Sequence, residues 1–426
     1  MAVALLFTVF ALLLAIGVPV AFSLASAALA TVLYLGLPPI VVVQQIAAGS
    51  GATTLIAIPL FIFAGELMLR GGISERLIAL AASLVGHMRG GLGHISVLAS
   101  LFFGGVSGSA LADVSAIGGA MIPQMAARGF DRDFAVNVSI SAALVALLVP
   151  PSHNLILYSA SVGGSVSIAD LFVAGIFPAL LLTAAIMATT WLISRKRGYA
   201  IEPFPGARQV LTRLVAALPG LFLVGLIFIG IRAGVFTAIE SAAIAVVYAL
   251  LVTALVYRRF GLRSFLDTCA HAVRTTGLIL FVIGTAAAFG WLLAYLEVPA
   301  AAVAALQAVG HDRNVVLFLI MLALLVLGTF MDLAPLIIIC APIFLPVAKA
   351  FGVDPVHFGV ILILGAGIGL VTPPVGSVLF VGSAIGKISI GQAVRTIWPF
   401  YVAELVVLLL VIYVPALSLW LPAVMK

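Results

Sequence analysis

The sequence predicts an all-α polytopic membrane protein built from two inverted repeats, each with a re-entrant helical hairpin and a broken helix. Composition gives the first reason, because 64% of the 426 residues are hydrophobic and 8% are charged. An average soluble domain has about 25% charged residues. Several apolar runs exceed the roughly 20 residues that cross a bilayer core, and runs of this length predict helices rather than barrel strands.

The second reason is an internal repeat. Glycine, proline and aspartate residues recur in both halves of the chain at one constant separation. Six pairs are each 223 positions apart: Gly105/Gly328, Pro123/Pro346, Gly129/Gly352, Asp131/Asp354, Pro150/Pro373 and Pro151/Pro374. A match without gaps over about fifty residues is hard to explain by shared hydrophobicity, so it indicates a duplicated unit.

The third reason is the position of the basic residues, because cytoplasmic loops collect Lys and Arg. Arg70 and Arg89 place the end of the third span in the cytoplasm, and Arg195-Lys196-Arg197 do the same for the last helix of the first half. Arg258-Arg259 mark a further cytoplasmic loop. Each half then has an odd number of crossings, which predicts inverted topology, periplasmic N- and C-termini and the architecture of a secondary transporter.

The first repeat covers 1–194. Ser107-Gly108-Ser109 supplies the hinge of its hairpin, and Pro150-Pro151 interrupts its broken helix. Proline lacks the backbone N–H that a helix needs and glycine permits a turn, so the sequence predicts that the helix is interrupted at both the hinge and the Pro-Pro pair. In order, we predict scaffold helices within 2–70, a hairpin over 92–127, a broken helix over 133–158 and a helix over 168–193.

A cytoplasmic linker over 195–213 precedes the second repeat, which covers 214–426. Its hairpin is hinged between Thr329 and Asp332, and its broken helix is interrupted at Pro373-Pro374. In order, we predict scaffold helices within 215–297, with a polar arm over 264–275 before the span 277–297, then a hairpin over 314–349, a broken helix over 356–382 and a helix over 398–423.

The Pro-Pro breaks leave carbonyl groups without their helical donors, and such groups are tolerated at membrane depth only when they are buried or line a wet cavity. Unwound carbonyls of this kind hold sodium in carriers. Two sodium sites are therefore predicted. The first comprises Ser107, Ser109, Leu147, Val149 and Pro150, and the second comprises Gly328, Thr329, Gly369 and Thr372. The competing interpretation is that the breaks are packing kinks.

The hairpin tips also expose the N-termini of their second arms, whose dipoles favour anions. We therefore expect an anionic substrate between the tips, bound by Ser109, Ser152, Asn154 and Asp332. Asp113, one turn beyond the first tip, has either a supporting role or a ligand role.

Other buried polar groups are given structural roles. Glu66 and Glu240 are predicted to be buried and paired, and His153 to be a hydrogen-bonded core histidine rather than a proton relay. Cys269 and Cys340 lie in apolar sequence, and their spacing does not match that of metal ligands. We therefore predict that they are small core residues.

Several function classes are disfavoured. The net charge of +6 is typical of cytoplasmic helix ends, not of a nucleic-acid surface. There is no phosphate-binding GxxxxGK[ST] loop, so an ion gradient rather than ATP is the expected energy source. For an intramembrane enzyme, Ser107 with His153 is the only candidate pair, and the duplicated tip lacks both. Opposed hairpins would block a passive channel.

Three stretches resemble the large membrane subunit of the TRAP (tripartite ATP-independent periplasmic) transporters. They are Phe102 to Asp113 (FFGGVSGSALAD), Met121-Ile122-Pro123 and Thr237 to Ala243 (TAIESAA). The resemblance covers the whole chain. Ser115 and Ile239 depart from the usual family pattern but touch none of the predicted ligands.

The resemblance implies an ion-transporter-type fold and an elevator mechanism, in which a transport domain carrying both hairpins slides against a scaffold. It implies sodium-driven import of an organic acid such as a C4-dicarboxylate or sialic acid across the bacterial inner membrane. Two or more sodium ions would be transported, and no organic cofactor is expected. The implied partners are a small four-helix membrane subunit and a periplasmic binding protein. The alternative is a stand-alone carrier of anions or tricarboxylates from a related inverted-repeat family.

Overall fold

The computed structural model describes residues 1–257, 261–309 and 312–425, and every regular element within these ranges is helical. This confirms the all-helical prediction. The basic pair Arg258-Arg259 lies outside the described residues.

The helices of the first half are short and often interrupted. They are α1 (Ala2–Ala15), α2 (Val20–Tyr34), α3 (Ile40–Ser50), α4 (Ala57–Arg70), α5 (Ile73–Val85), α6 (Gly91–Ser107), α7 (Ala110–Asp113), α8 (Gly119–Ala127), α9 (Arg132–Ala143), α10 (His153–Ser161) and α11 (Ile168–Arg197). A π-helical turn over Val114–Gly118 joins α7 to α8, and a 3-10 turn over Val145–Leu147 follows α9.

The second half has longer helices. They are α12 (Ala207–Arg232), α13 (Ala238–Leu251), α14 (Leu262–Tyr295), α15 (Val298–Val309), α16 (Arg313–Gly328), α17 (Leu333–Ala350), α18 (Pro355–Gly369), α19 (Ser377–Gly386), α20 (Ile390–Thr396), α21 (Trp398–Tyr413) and α22 (Ala416–Val424). A π-helical turn over Val252–Val256 extends α13.

Many of these helices are suited to a membrane. Among the described residues, five are long and apolar enough to cross a bilayer, and up to eight spans result if each bent pair is counted as one. Large apolar side chains such as Phe222, Ile229 and Leu278 are exposed on the surface. The chain is therefore a multi-pass membrane protein.

Both ends of helix α11 are well defined by capping interactions. Ser167 caps its N-terminus by accepting a hydrogen bond from the Asp170 amide at 3.2 Å. Arg195, Lys196 and Arg197 lie in its last turn, where cations favour the helix dipole. Gly198 then ends the helix in a left-handed conformation at φ 72°.

The bases of the two hairpins lie near opposite ends of α11. The α8–α9 loop at the base of the first hairpin lies at the C-terminal end, where Arg197 bonds Asp131 and Asp133 at 2.8 and 2.9 Å. The base of the second hairpin adjoins Pro355, whose carbonyl accepts a 2.8 Å hydrogen bond from the Tyr158 hydroxyl. Tyr158 belongs to α10, which ends seven residues before α11 begins.

Helix α14 packs along α2, α3 and α4, and α13 packs along α4. The predicted arm over 264–275 and the span 277–297 are one continuous helix, because the intervening sequence contains neither proline nor a glycine pair. In the first half, α3 ends before Gly51, and a 3-10 turn over Thr53–Ile56 separates it from α4. The sequence does not predict the short helices α5, α15 and α20. The predicted single helix over 398–423 is wrong, because the chain bends by 57° near Pro415 and forms α21 and α22.

Candidate functional site

A cavity of about 610 Å³ lies between the two hairpin tips and a wall formed by α4 and α14. The first tip contributes Ser107 and Ser109, and the second contributes Asp332. Glu66 and His271 line the opposite wall. The fold thus brings both predicted hinges to one space.

The first tip is held by backbone geometry and one amide side chain. Gly108 ends α6 at φ 59°, a left-handed conformation that favours glycine. The Ser109 hydroxyl accepts a 3.3 Å hydrogen bond from the Ala112 amide and so caps α7. Asn154 donates through Nδ2 to the Gly108 carbonyl at 2.7 Å, which ties the tip to the start of α10.

The first break keeps some carbonyl groups unpaired. Ser152 donates its hydroxyl proton to the Leu147 carbonyl at 2.7 Å. The carbonyls of Val149 and Pro150 accept no hydrogen bond from the residues that the structure describes, and neither does that of Gly105 on the facing arm of the hairpin. These oxygens remain able to bind a cation.

The second tip is built differently from the first. Asp332 caps α17 by accepting a 2.9 Å hydrogen bond from the Leu333 amide through Oδ1. Thr329 donates its hydroxyl proton to the Val326 carbonyl at 2.8 Å. The Thr329 carbonyl in turn accepts a 3.0 Å hydrogen bond from the Gly376 amide, which joins the tip to the chain beyond the second break.

The second break repeats the pattern of the first. Thr372 donates its hydroxyl proton to the Ile368 carbonyl at 2.8 Å, and its amide donates to the Gly369 carbonyl at 2.9 Å. The carbonyls of Gly328, Thr372 and Pro373 accept no hydrogen bond from a described residue.

The unpaired carbonyls of the two breaks and of the hairpin arms that face them occupy equivalent positions. Gly105, Val149 and Pro150 lie 223 residues before Gly328, Thr372 and Pro373. The sequence-based ligand sets omitted Gly105 and Pro373. The internal repeat could have identified both, because Gly105 is the counterpart of the predicted ligand Gly328 and Pro373 is the counterpart of the predicted ligand Pro150.

The predicted site residues fall into two groups. Those that line the cavity are Ser107, Ser109, Leu147, Asn154 and Asp332. Those that do not line it are Val149, Pro150, Ser152, Gly328, Thr329, Gly369, Thr372 and Asp113. Ser152 is fully buried behind the first break, and Asp113 is buried with its Oδ2 accepting a 2.6 Å hydrogen bond from the Ser100 hydroxyl.

The wall opposite the tips carries an acidic group between two basic ones. The Oε2 atom of Glu66 lies 3.6 Å from Nε of Arg70, and Oε1 lies 3.3 Å from Nε2 of His271. The predicted pairing of Glu66 is confirmed. The prediction for Glu240 is wrong, because its side chain is exposed and forms a capping box with Thr237 at the start of α13.

The fold is that of known membrane transporters. A solved structure of the YdaH transporter from Alcanivorax borkumensis superposes with a TM-score of 0.62, covering 90% of this chain and 87% of that one at 15% sequence identity. This likeness concerns the fold alone. It defines the fold class as that of a polytopic α-helical membrane protein.

The family follows from sequence. Residues 7–417 match the family described as the tripartite ATP-independent periplasmic transporter, DctM component. The sialic acid TRAP transporter large permease protein SiaM of Vibrio cholerae is 38% identical over 96% of this chain and 96% of its own length. The C4-dicarboxylate TRAP transporter large permease protein DctM of Rhodobacter capsulatus is 35% identical over 97% and 98%. The chain belongs to the TRAP transporter large permease family.

Proposed function

We propose that the chain is the large membrane subunit of a sodium-gradient-driven TRAP transporter. It imports an organic acid by an elevator mechanism, in which the two hairpins and broken helices form a transport domain. The wall formed by α4 and α14, with the helices packed around it, is the scaffold.

The observation that carries this proposal is the matched set of unpaired carbonyl oxygens in the two breaks and on the hairpin arms that face them. Hard cations prefer oxygen ligands, and unwound carbonyls at half-helix ends bind sodium in carriers. Gly105, Val149 and Pro150 with the hydroxyls of Ser107 and Ser109 would form one site. The second would use the equivalent carbonyls, with Thr329, Gly369 and Thr372 positioning them.

The placement of the hairpins supports an inverted repeat. Their bases lie at opposite ends of α11, one beside Arg197 and the other beside Tyr158. A helix of 30 residues is about 45 Å long, which exceeds the roughly 30 Å of a bilayer core. Hairpins entering from its two ends would therefore approach from opposite sides of the membrane.

The substrate class follows from the tips and from the relatives. Both tips present helix N-termini at the cavity, and the amides there that Ser109 and Asp332 do not cap favour a carboxylate. Asp332 would repel that carboxylate unless cations were bound nearby, so we expect sodium to bind before the substrate. The named substrates of the two relatives, sialic acid and C4-dicarboxylates, are both organic acids.

The remaining parts of the proposal concern assembly and location. The family is one component of a tripartite system. We therefore assign the chain a small four-helix membrane subunit and a periplasmic binding protein as partners. The multi-pass chain would lie in the bacterial inner membrane with both termini in the periplasm.

The deciding experiment is uptake into proteoliposomes that contain both membrane subunits, with the binding protein and its own ligand supplied outside. We expect uptake in an inward sodium gradient and none when choline replaces sodium. Uptake that persists in choline would overturn the coupling mechanism. Uptake without the binding protein and the small subunit would instead favour the stand-alone carrier.

A further inference from the structure

The α4–α14 wall of the cavity contains an arrangement that the sodium sites do not explain. Glu66 lies between Arg70, one turn later on the same helix, and His271 on a helix from the other half of the chain. All three side chains line the cavity opposite Ser109 and Asp332. The cluster therefore faces the space through which a substrate would leave the tips.

The contacts of Glu66 are long for charged partners. Charge-assisted hydrogen bonds are about 2.7–2.9 Å long, whereas the two contacts here are 3.6 and 3.3 Å. The side chains of Arg70 and His271 are 34% and 51% exposed, so water reaches both. A carboxylate held this loosely can exchange for another.

We propose that Arg70 and His271 form a carboxylate-binding station on this wall, which receives the substrate's carboxylate as it leaves the hairpin tips. Glu66 occupies the station when no substrate is present. The inference rests on the proposed function for the identity of the ligand, which is an organic acid. Among the residues that the structure describes, the other ionisable groups that line the cavity are Asp332 and His153, both on the opposite side.

The proposal gives opposite expectations for neighbouring substitutions. Glu66→Gln removes the competing carboxylate and should strengthen anion binding, whereas Arg70→Gln removes the cation and should weaken it. A purely structural role for the ion pair predicts the same effect from both changes, because either one breaks the same contact. Arg70→Lys, which keeps the charge, should retain most of the binding.

The test measures protection of a cysteine placed inside the cavity. Thr275, which lines the cavity from α14, is changed to Cys in a chain whose Cys269 and Cys340 are replaced by Ser and Ala. The purified complex of the two membrane subunits reacts with N-ethylmaleimide, an uncharged reagent, in the presence of succinate or N-acetylneuraminate. The readout is the anion concentration that halves the reaction rate.

We expect Glu66→Gln to lower this concentration and Arg70→Gln to raise it. Each change should be about tenfold, which is the change in affinity that one hydrogen bond to a charged group typically gives. Arg76→Gln is the matched control, because its guanidinium lies 3.5 Å from the Tyr257 ring centroid and does not line the cavity. It should leave protection unchanged.

Protection by neither anion, or shifts of the same sign in both variants, would overturn the station. This outcome is separate from the sodium test. Uptake that continues in choline would remove the proposed coupling and leave the protection pattern intact, whereas loss of the protection pattern would leave sodium-driven uptake standing.

Discussion

Gly328 and Gly369 pack backbone against backbone, so closely that a Cβ atom on Gly369 would lie 2.6 Å from the Cα atom of Gly328. The contact joins the first arm of the second hairpin to the broken helix. We expect Gly369→Ala to force the two apart, to destabilise the protein by about 1–3 kcal/mol and to reduce sodium-driven uptake. Thermal unfolding in detergent and uptake in proteoliposomes measure the two effects.

Gly365→Ala is the matched control, because it lies one turn earlier on α18 and its new Cβ would meet only ordinary contacts at 3.8 Å. Equal losses in the two variants would show that the close approach at Gly369 has no special role.

A second prediction concerns the direction of the hairpins. Ala127 and Ala350 end the two hairpins, lie 223 positions apart and are both exposed. The test uses a chain without its native cysteines and a membrane-impermeant thiol reagent. The reagent should label Ala350→Cys from the periplasm, but Ala127→Cys only after the membrane is permeabilised. Labelling of both positions from one side would exclude inverted repeats.

The third prediction concerns the sodium requirement. Ser109→Ala and Thr372→Ala should each raise the sodium concentration that gives half-maximal uptake, because each removes an oxygen beside unpaired carbonyls. Ser109→Ala should also lower stability by about 1 kcal/mol, since the hydroxyl caps α7. Ser165→Ala is the control, because its exposed hydroxyl bonds only the Val162 carbonyl. An unchanged sodium requirement in both variants would remove these residues from the sites.

The fourth prediction concerns the pH dependence of the ion pair at the end of α11. Partial burial of Asp133 favours its neutral form, but the Arg197 guanidinium outweighs this and lowers the pKa of Asp133. The resulting stability is complete above the unfolded-state pKa of about 3.9. It is lost as the pH falls through the lower folded-state value.

Arg197→Gln should therefore lower the unfolding free energy by about 1 kcal/mol at neutral pH, a value that allows for solvent screening. The difference from the unchanged protein should vanish in strongly acidic solution. Thermal unfolding across this pH range measures it. Arg195→Gln, whose guanidinium lies 5.5 Å from the Trp191 ring centroid, should show no such pH dependence. A constant difference at all pH values would contradict the assignment to Asp133.

The sequence predicted the helical membrane fold and the family because both depend on strong local signals. Apolar runs determine helices in a bilayer, and Ser107-Gly108-Ser109 carries a hinge that the structure places at the cavity. The breaks at Pro150 and Pro373 were visible for the same reason, since proline removes a donor wherever it occurs.

The interactions that the sequence did not predict depend on tertiary contacts. The sequence predicts Asn154 as a substrate contact, but not its bond to Gly108, which requires two segments 46 residues apart to meet. Glu240 was assigned to the interior from its apolar neighbours, although Thr237-x-x-Glu240 is the signature of an exposed capping box. The Glu66–His271 contact joins the two halves of the chain, and no local pattern reports it.

The length of α14 has a consequence for the environment of the cavity. Its 34 residues extend about 50 Å, roughly 20 Å more than the hydrocarbon thickness of a bilayer. The surplus falls at the N-terminal end, which carries Arg263, Asp267 and Arg274 between its apolar residues. His271 and Thr275 lie within or next to this charged stretch. The cavity wall therefore continues into a charged stretch of the same helix, and substitutions in that stretch would change the electrostatics around His271.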